Sequence, residues 1–109
     1  MPGVKREVPE ISVSEVARRL PELTLLDANP ARRYAKGHVP GAVLVDPAAV
    51  GEVLPDDRST ALVFYCRDRS CGAAPAAARR AMALGYDNVH VMRDGIDGWE
   101  RSGGPVSTD

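Results

Sequence analysis

The apolar positions of this chain fall into four short runs, separated by segments with helical spacing. "ISVSEVARRL" opens with Ser12 followed three residues later by Glu15, a capping box, and sets Val13, Val16, Ala17 and Leu20 on one helical face. A short helix is predicted there. "LTLLDA" reads as a strand ended by Asn29-Pro30, and "ARRYAKG" as a helical turn or two closed by Gly37. "GAVLVD" is a second run without polar alternation, and "AAVGEVL" predicts another short helix ending near Pro55. The run "ALVFY" at 61–65 is apolar on both faces, as a central strand covered by helices on both sides should be. In "GAAPAAARRAMALGY", Pro75 fits only a helix's first turn and Gly85 suits the position past its end, which places a helix near 73–84 with Arg79 and Arg80 facing solvent. "NVHVM" is the fourth run, and "GIDGWERSG" a last helical turn with the only Trp. Repeated alternation of strand and helix predicts an α/β fold: a small three-layer domain, its central sheet mostly parallel, with helices on both faces.

At 109 residues the chain is sized for one domain with a real core, without disulfide or metal staples. We expect a flexible N-terminal arm over 1–9, the domain over 10–106 and a tail over 107–109. A formal net charge of -1 gives no broad attraction to nucleic acid or anionic lipid, and no apolar run approaches a membrane span. Neither nucleic acid nor membrane is expected as a partner, and no oligomeric state is implied. "MPGVKREVPE" lacks the apolar segment of a signal peptide, so the expected compartment is the cytoplasm. In a reducing compartment, two cysteines point to reactive, redox-sensing or metal-binding roles rather than a permanent bridge.

Those cysteines sit in "LVFYCRDRSCGAA". Ligands of parallel α/β sheets bind beyond the carboxyl ends of the strands, and Cys66 lies at that end of the central run. The loop Arg67, Asp68, Arg69, Ser70, Cys71 and Gly72 then leads into a helix N-terminus, where free N–H groups and the helix dipole favour an anion. Such settings lower a cysteine pKa from about 8.5 to between ~3.5 and ~7.5, so Cys66 reads as an activated nucleophile, with burial as a packing residue the competing reading. Arg67 and Arg69 are candidates to attract an anionic substrate, or plain solvated charges; Asp68 reads as turn chemistry. Cys71 is either a resolving thiol within disulfide reach or a packing residue. A zinc site needs four ligands, and His38 and His90 are the only further soft donors, at no zinc spacing. No metal and no cofactor are expected. A thioredoxin-type site needs two residues between its cysteines rather than four, and a phosphatase loop needs an arginine where Gly72 stands.

Three stretches together resemble a single rhodanese-like domain, the sulfurtransferase fold: "LLDANPARRYAKGHVPGAVLVD", "LVFYC" and "ALGYDNVHVMRDGIDGWERSGGPV". The Gly-His-x-Pro-Gly-Ala element, with Asp27 ten positions before Gly37, is its most specific part. The resemblance implies a catalytic Cys66 that takes sulfane sulfur from a small anionic donor such as thiosulfate, or from a persulfide, and hands it to a thiol or cyanide acceptor, with an acceptor protein as one alternative. This chain departs from the family pattern in three ways. Asn29 stands where an arginine is common, Asp94 where a glycine is usual, and the cysteine loop is about two residues longer, as in a variant with a second cysteine. Two further readings stay open beside the enzyme: a redox module with a reversible Cys66–Cys71 disulfide, and a non-catalytic interaction domain. His38 and Pro40 read as architectural and Trp99 as a core or lid aromatic. The basic run "ARRYAK" reads as a solvated helix face, or else as a docking patch for an acidic partner.

Overall fold

The computed structural model describes residues 7–109. Four strands, β1 (Thr24–Asp27), β2 (Val43–Leu44), β3 (Leu62–Tyr65) and β4 (Val89–Val91), form one parallel sheet in the order β2-β1-β3-β4. Helices α1 (Val13–Arg19), α2 (Ala31–Lys36), α3 (Ala73–Ala83) and α4 (Gly95–Arg101) complete the domain. The sheet is parallel throughout, and β3 is central and fully buried, as its unbroken apolar run requires.

The pleat sends alternate residues of each strand to opposite faces, and a separate core forms on each. On one face Leu26, Leu62, Phe64, Val89 and Val91 pack against Ala74, Ala77, Ala78 and Ala81 of α3. The alanine stripe at i, i+3, i+4 and i+7 lets that helix lie close to the sheet. On the other face Leu25, Val63 and Tyr65 meet Val16 of α1 and Ile96 and Trp99 of α4. Each fully buried Leu, Phe or Ile contributes about 1.5–3 kcal/mol, so these two layers dominate the stability. No helix among the described residues is long and apolar enough to cross a membrane.

Several elements differ from the sequence reading. The segment "AAVGEVL" forms only a 3-10 turn, Val50–Glu52, and the edge strand β2 is two residues long with Val43 exposed. Ala17 faces solvent rather than the core. The capping box is half made: the Ser12 hydroxyl accepts from the Glu15 N–H at 3.1 Å, while the Glu15 carboxylate pairs with Arg18 and Arg19 instead of reaching back. Among the described residues, Val8, Pro9 and Ser107 are more tightly held than an arm and a tail. Residues 1–6 of the expected arm lie outside the described residues; Val8 packs on the core, and the Pro9 carbonyl accepts from the Val91 N–H at 2.9 Å, so residues 9–11 run along β4. At the other end Ser107 exchanges two backbone hydrogen bonds with His38, at 2.8 and 2.9 Å. In both cases an unpaired backbone edge recruits the flanking segment, a non-local effect that composition does not reveal.

Candidate active site

Cys66 continues the Leu62–Phe64 alternation and so turns toward α3, where only 3% of it is exposed. Its sulfur lies 3.4 Å from the backbone nitrogen of Ala74, in the first turn of the eleven-residue helix α3, and 3.6 Å from the Cys71 carbonyl oxygen. An N–H at a helix N-terminus is a donor of the kind that stabilises an anion through a charge-assisted hydrogen bond and the helix dipole, and here it faces the Cys66 sulfur. In this structure Cys66 and Cys71 are joined by a disulfide, with Cα atoms 6.4 Å apart. Cys71 is only partly buried and lines an open cleft, whereas Cys66 sits behind it.

A second helix fixes the backbone of the same loop. The Ile96 N–H donates to the Cys66 carbonyl at 2.9 Å and the Asp97 N–H to the Arg67 carbonyl at 3.0 Å, so the first turn of α4 finds its missing acceptors in the cysteine loop. The approach is close enough that a Cβ on Gly95 would fall 2.7 Å from the Cys66 carbonyl oxygen, and Gly95 has φ +67°. Glycine is required there on both counts. Sequence reasoning missed this residue; its only signal was a glycine ahead of the Trp99 segment.

Within the loop, Asp68 accepts from both the Ser70 N–H (3.0 Å) and the Ser70 hydroxyl (2.6 Å), a turn that leads to Cys71. Those hydrogen bonds, aided by Arg67, hold the Asp68 carboxyl below its usual range. Arg67 is exposed, pairs with Asp68 at 3.4 Å and lines the cleft with Ser70 and Cys71. Arg69 takes a different direction from the one anticipated. Its guanidinium binds Glu10 and, at 2.9 Å, Asp94, and its carbonyl accepts from Arg93 at 2.9 Å. Two carboxylates satisfy this charge, so Arg69 tethers the loop instead of facing the cleft beside Cys71. Gly72 caps α3 with open space around it.

The flanking residues explain the remaining departures. Asp27 is fully buried opposite Tyr65; one carboxylate oxygen accepts from the Asn29 N–H at 2.8 Å and the other has no partner among the described residues. Burial and the nearby Asp27 charge push the Tyr65 phenol well above its ordinary pKa. Asp94 precedes α4 and supplies one of the two anchors for Arg69. His38 is buried, stacks on Tyr34 at 3.7 Å between ring centroids and contacts the Tyr34 carbonyl at 2.8 Å. Its Nδ1 is thereby engaged away from Cys66. His90 is in β4 opposite Val63.

Residues 12–102 match the model of the rhodanese-like domain. The chain is 37% identical over 101 residues to the HTH-type transcriptional regulator Rv0324 of Mycobacterium tuberculosis, an alignment covering 88% of this chain and 43% of that protein. It therefore spans less than half of that regulator. It is 31% identical over 86 residues to the thiosulfate sulfurtransferase GlpE of Actinobacillus pleuropneumoniae, with 78% of each chain covered. Among solved structures it resembles a rhodanese-related protein of Thermoplasma volcanium, with a TM-score of 0.80, 18% identity, and coverage of 93% of this chain and 99% of that one. Fold, family match and relatives agree: the chain belongs to the rhodanese-like family.

Proposed function

We propose that the protein is a sulfurtransferase acting through a persulfide on Cys66. The observation that carries this reading is the placement of the Cys66 sulfur at the end of the central strand, 3.4 Å from a helix N-terminal N–H, in a family whose relatives include proteins named thiosulfate sulfurtransferase. The Cys66 thiolate attacks the outer sulfur of thiosulfate; the sulfur–sulfur bond of the donor breaks, and sulfite leaves with the electron pair. The persulfide anion then occupies the position held by the thiolate, still facing the Ala74 N–H. A thiolate acceptor attacks the terminal sulfur, leaves as its own persulfide and regenerates Cys66; with cyanide the product is thiocyanate. The test is intact-protein mass spectrometry after reduction, removal of reductant and exposure to thiosulfate. A gain of one sulfur, about 32 Da, is expected in wild type and in Cys71→Ala and none in Cys66→Ala. An unmodified wild-type protein at saturating donor would refute the reading.

The disulfide favours a second reading, a thiol–disulfide module in which Cys66 and Cys71 cycle between oxidised and reduced states. There both cysteine variants lose activity equally, whereas sulfur transfer needs Cys66 alone. Counting thiols before and after mild peroxide separates the two.

A further inference from the structure

Beside the disulfide lies a cleft of about 480 Å³ lined by Asn29, Pro30, Arg32, Arg33, Lys36, Arg67, Ser70 and Cys71. Four of these side chains are cationic. Arg33 is balanced by Asp97 (3.9 Å) and Glu100 (3.6 Å), and Arg67 by Asp68, but no carboxylate among the described residues pairs with Arg32 or Lys36. Those two stand four residues apart on α2 and therefore on one side of it. Asn29, nine-tenths buried in the cleft wall, has a side-chain amide nitrogen without a hydrogen-bond partner. Two unpaired cations, with an orphaned donor in the wall of the same cleft, describe a site for an anion with several oxygens. The cysteine that lines this cleft is Cys71, the less buried half of the disulfide.

We propose that this cleft binds a low-molecular-weight thiol carrying two or more carboxylates, and that this thiol reopens the Cys66–Cys71 disulfide by attacking Cys71. The inference rests on the thiol–disulfide reading above. The bound thiolate forms a bond to the Cys71 sulfur, the Cys66–Cys71 bond breaks, and its electron pair leaves on Cys66. The helix N-terminus that stabilises a Cys66 thiolate makes it the better leaving group, so exposure and electrostatics select the same direction of cleavage. A second thiol of the same class then attacks the external sulfur of the mixed disulfide, freeing the Cys71 thiolate and leaving as the symmetrical disulfide. Two electrons pass from two external thiols to the protein. The cleft volume is in the range of small-ligand sites, which fits a thiol of a few residues' size.

The experiment compares reduction of the oxidised 109-residue chain by mercaptosuccinate, 2-mercaptoethanol and cysteamine at equal thiolate concentration and low ionic strength. In wild type the rate order should be dianion, neutral, cation. In Arg32→Ala/Lys36→Ala the mercaptosuccinate to 2-mercaptoethanol ratio should fall about tenfold, while Arg79→Ala/Arg101→Ala, which removes two exposed charges elsewhere, leaves it unchanged. Trapping the first step with iodoacetamide and mapping the peptides should find the alkyl group on Cys66 and mercaptosuccinate on Cys71. An unchanged ratio, or mercaptosuccinate on Cys66, overturns the inference while the redox reading stands. Two free thiols after peroxide treatment would remove the redox reading and this inference with it.

Discussion

Arg69 grips Glu10 through both arms of its guanidinium, Nη1 to one carboxylate oxygen at 2.6 Å and Nη2 to the other at 3.0 Å, across 59 positions of sequence. The contact ties the cysteine loop to the segment that runs along β4. The Arg69 hydrogen bond is the main reason the Glu10 carboxyl is held below its ordinary value. A carboxylate whose folded pKa is depressed stabilises the fold fully above its unfolded pKa, about 4.3 for glutamate, and loses that contribution as pH falls through the lowered value. Glu10→Gln should therefore melt about 1–4 °C below wild type at pH 7, an exposed pair being weak, and the gap should narrow as pH falls below about 4.3. A difference that stays constant as the carboxylate is titrated with acid would assign the effect to packing instead.

Arg67 and Arg69 should separate in kinetics. Arg67 lines the cleft beside Cys71, whereas Arg69 is held by two carboxylates. Arg67→Ala should slow persulfide loading from thiosulfate about 3–10-fold at low salt, with the effect shrinking as salt screens it, and Arg69→Ala should change it by less than about twofold. Stopped-flow loading rates at two ionic strengths decide the matter; equal losses would mean that both charges steer the donor.

At Gly95 the start of α4 lies against the backbone of the cysteine loop. A side chain there meets the Cys66 backbone and needs a left-handed conformation, two penalties that together cost about 3 kcal/mol. Gly95→Ala should lower Tm by roughly 10–20 °C, and the exchange protection of the Ile96 and Asp97 amides should fall with it. A variant with wild-type Tm would show that the loop and helix separate at no cost.

Much of this arrangement was legible in local pattern. The apolar run at 61–65 identified the central strand, Pro75 and Gly85 bracketed α3, and the position of Cys66 followed from the join between them. Contacts between distant segments were not legible. The Arg69–Glu10 pair links residues 59 apart, and no periodicity encodes which carboxylate a loop arginine will meet. The docking of α4 onto the Cys66 carbonyl depends on the sheet order, which is settled only when the strands assemble. Val8, Pro9 and Ser107 were read as loose because polar composition reports solvent preference, not the availability of an unpaired backbone group.

Tyr65 contributes a hydroxyl to the buried face opposite α3. It accepts from the Val39 N–H at 3.1 Å, anchoring the segment that follows His38. Tyr65→Phe keeps the ring but strands that buried N–H, at a cost of about 1–3 kcal/mol. The expected drop in Tm is roughly 5–15 °C, while Cys66, on the other face of the sheet, keeps its reactivity. Loss of persulfide loading at a temperature where the variant is folded would instead place the tyrosine in the reaction.

Cys66 and Cys71 face different surroundings, and that difference predicts their reactivity once the disulfide is reduced. The Cys66 sulfur faces a helix N–H that favours its anion but is shut away from solvent; Cys71 borders the cleft. Thiolate stability and exposure therefore act on different residues. In Cys71→Ala, the iodoacetamide rate at Cys66 should reach half its plateau at or below about pH 7.5, whereas in Cys66→Ala the Cys71 profile should centre near 8.5. The plateau itself should be the lower of the two for Cys66, because access rather than ionisation limits a buried nucleophile. A Cys66 midpoint at or above 8.5 would mean that the α3 terminus does not hold its charge, and the persulfide anion would lose its support at the same atom.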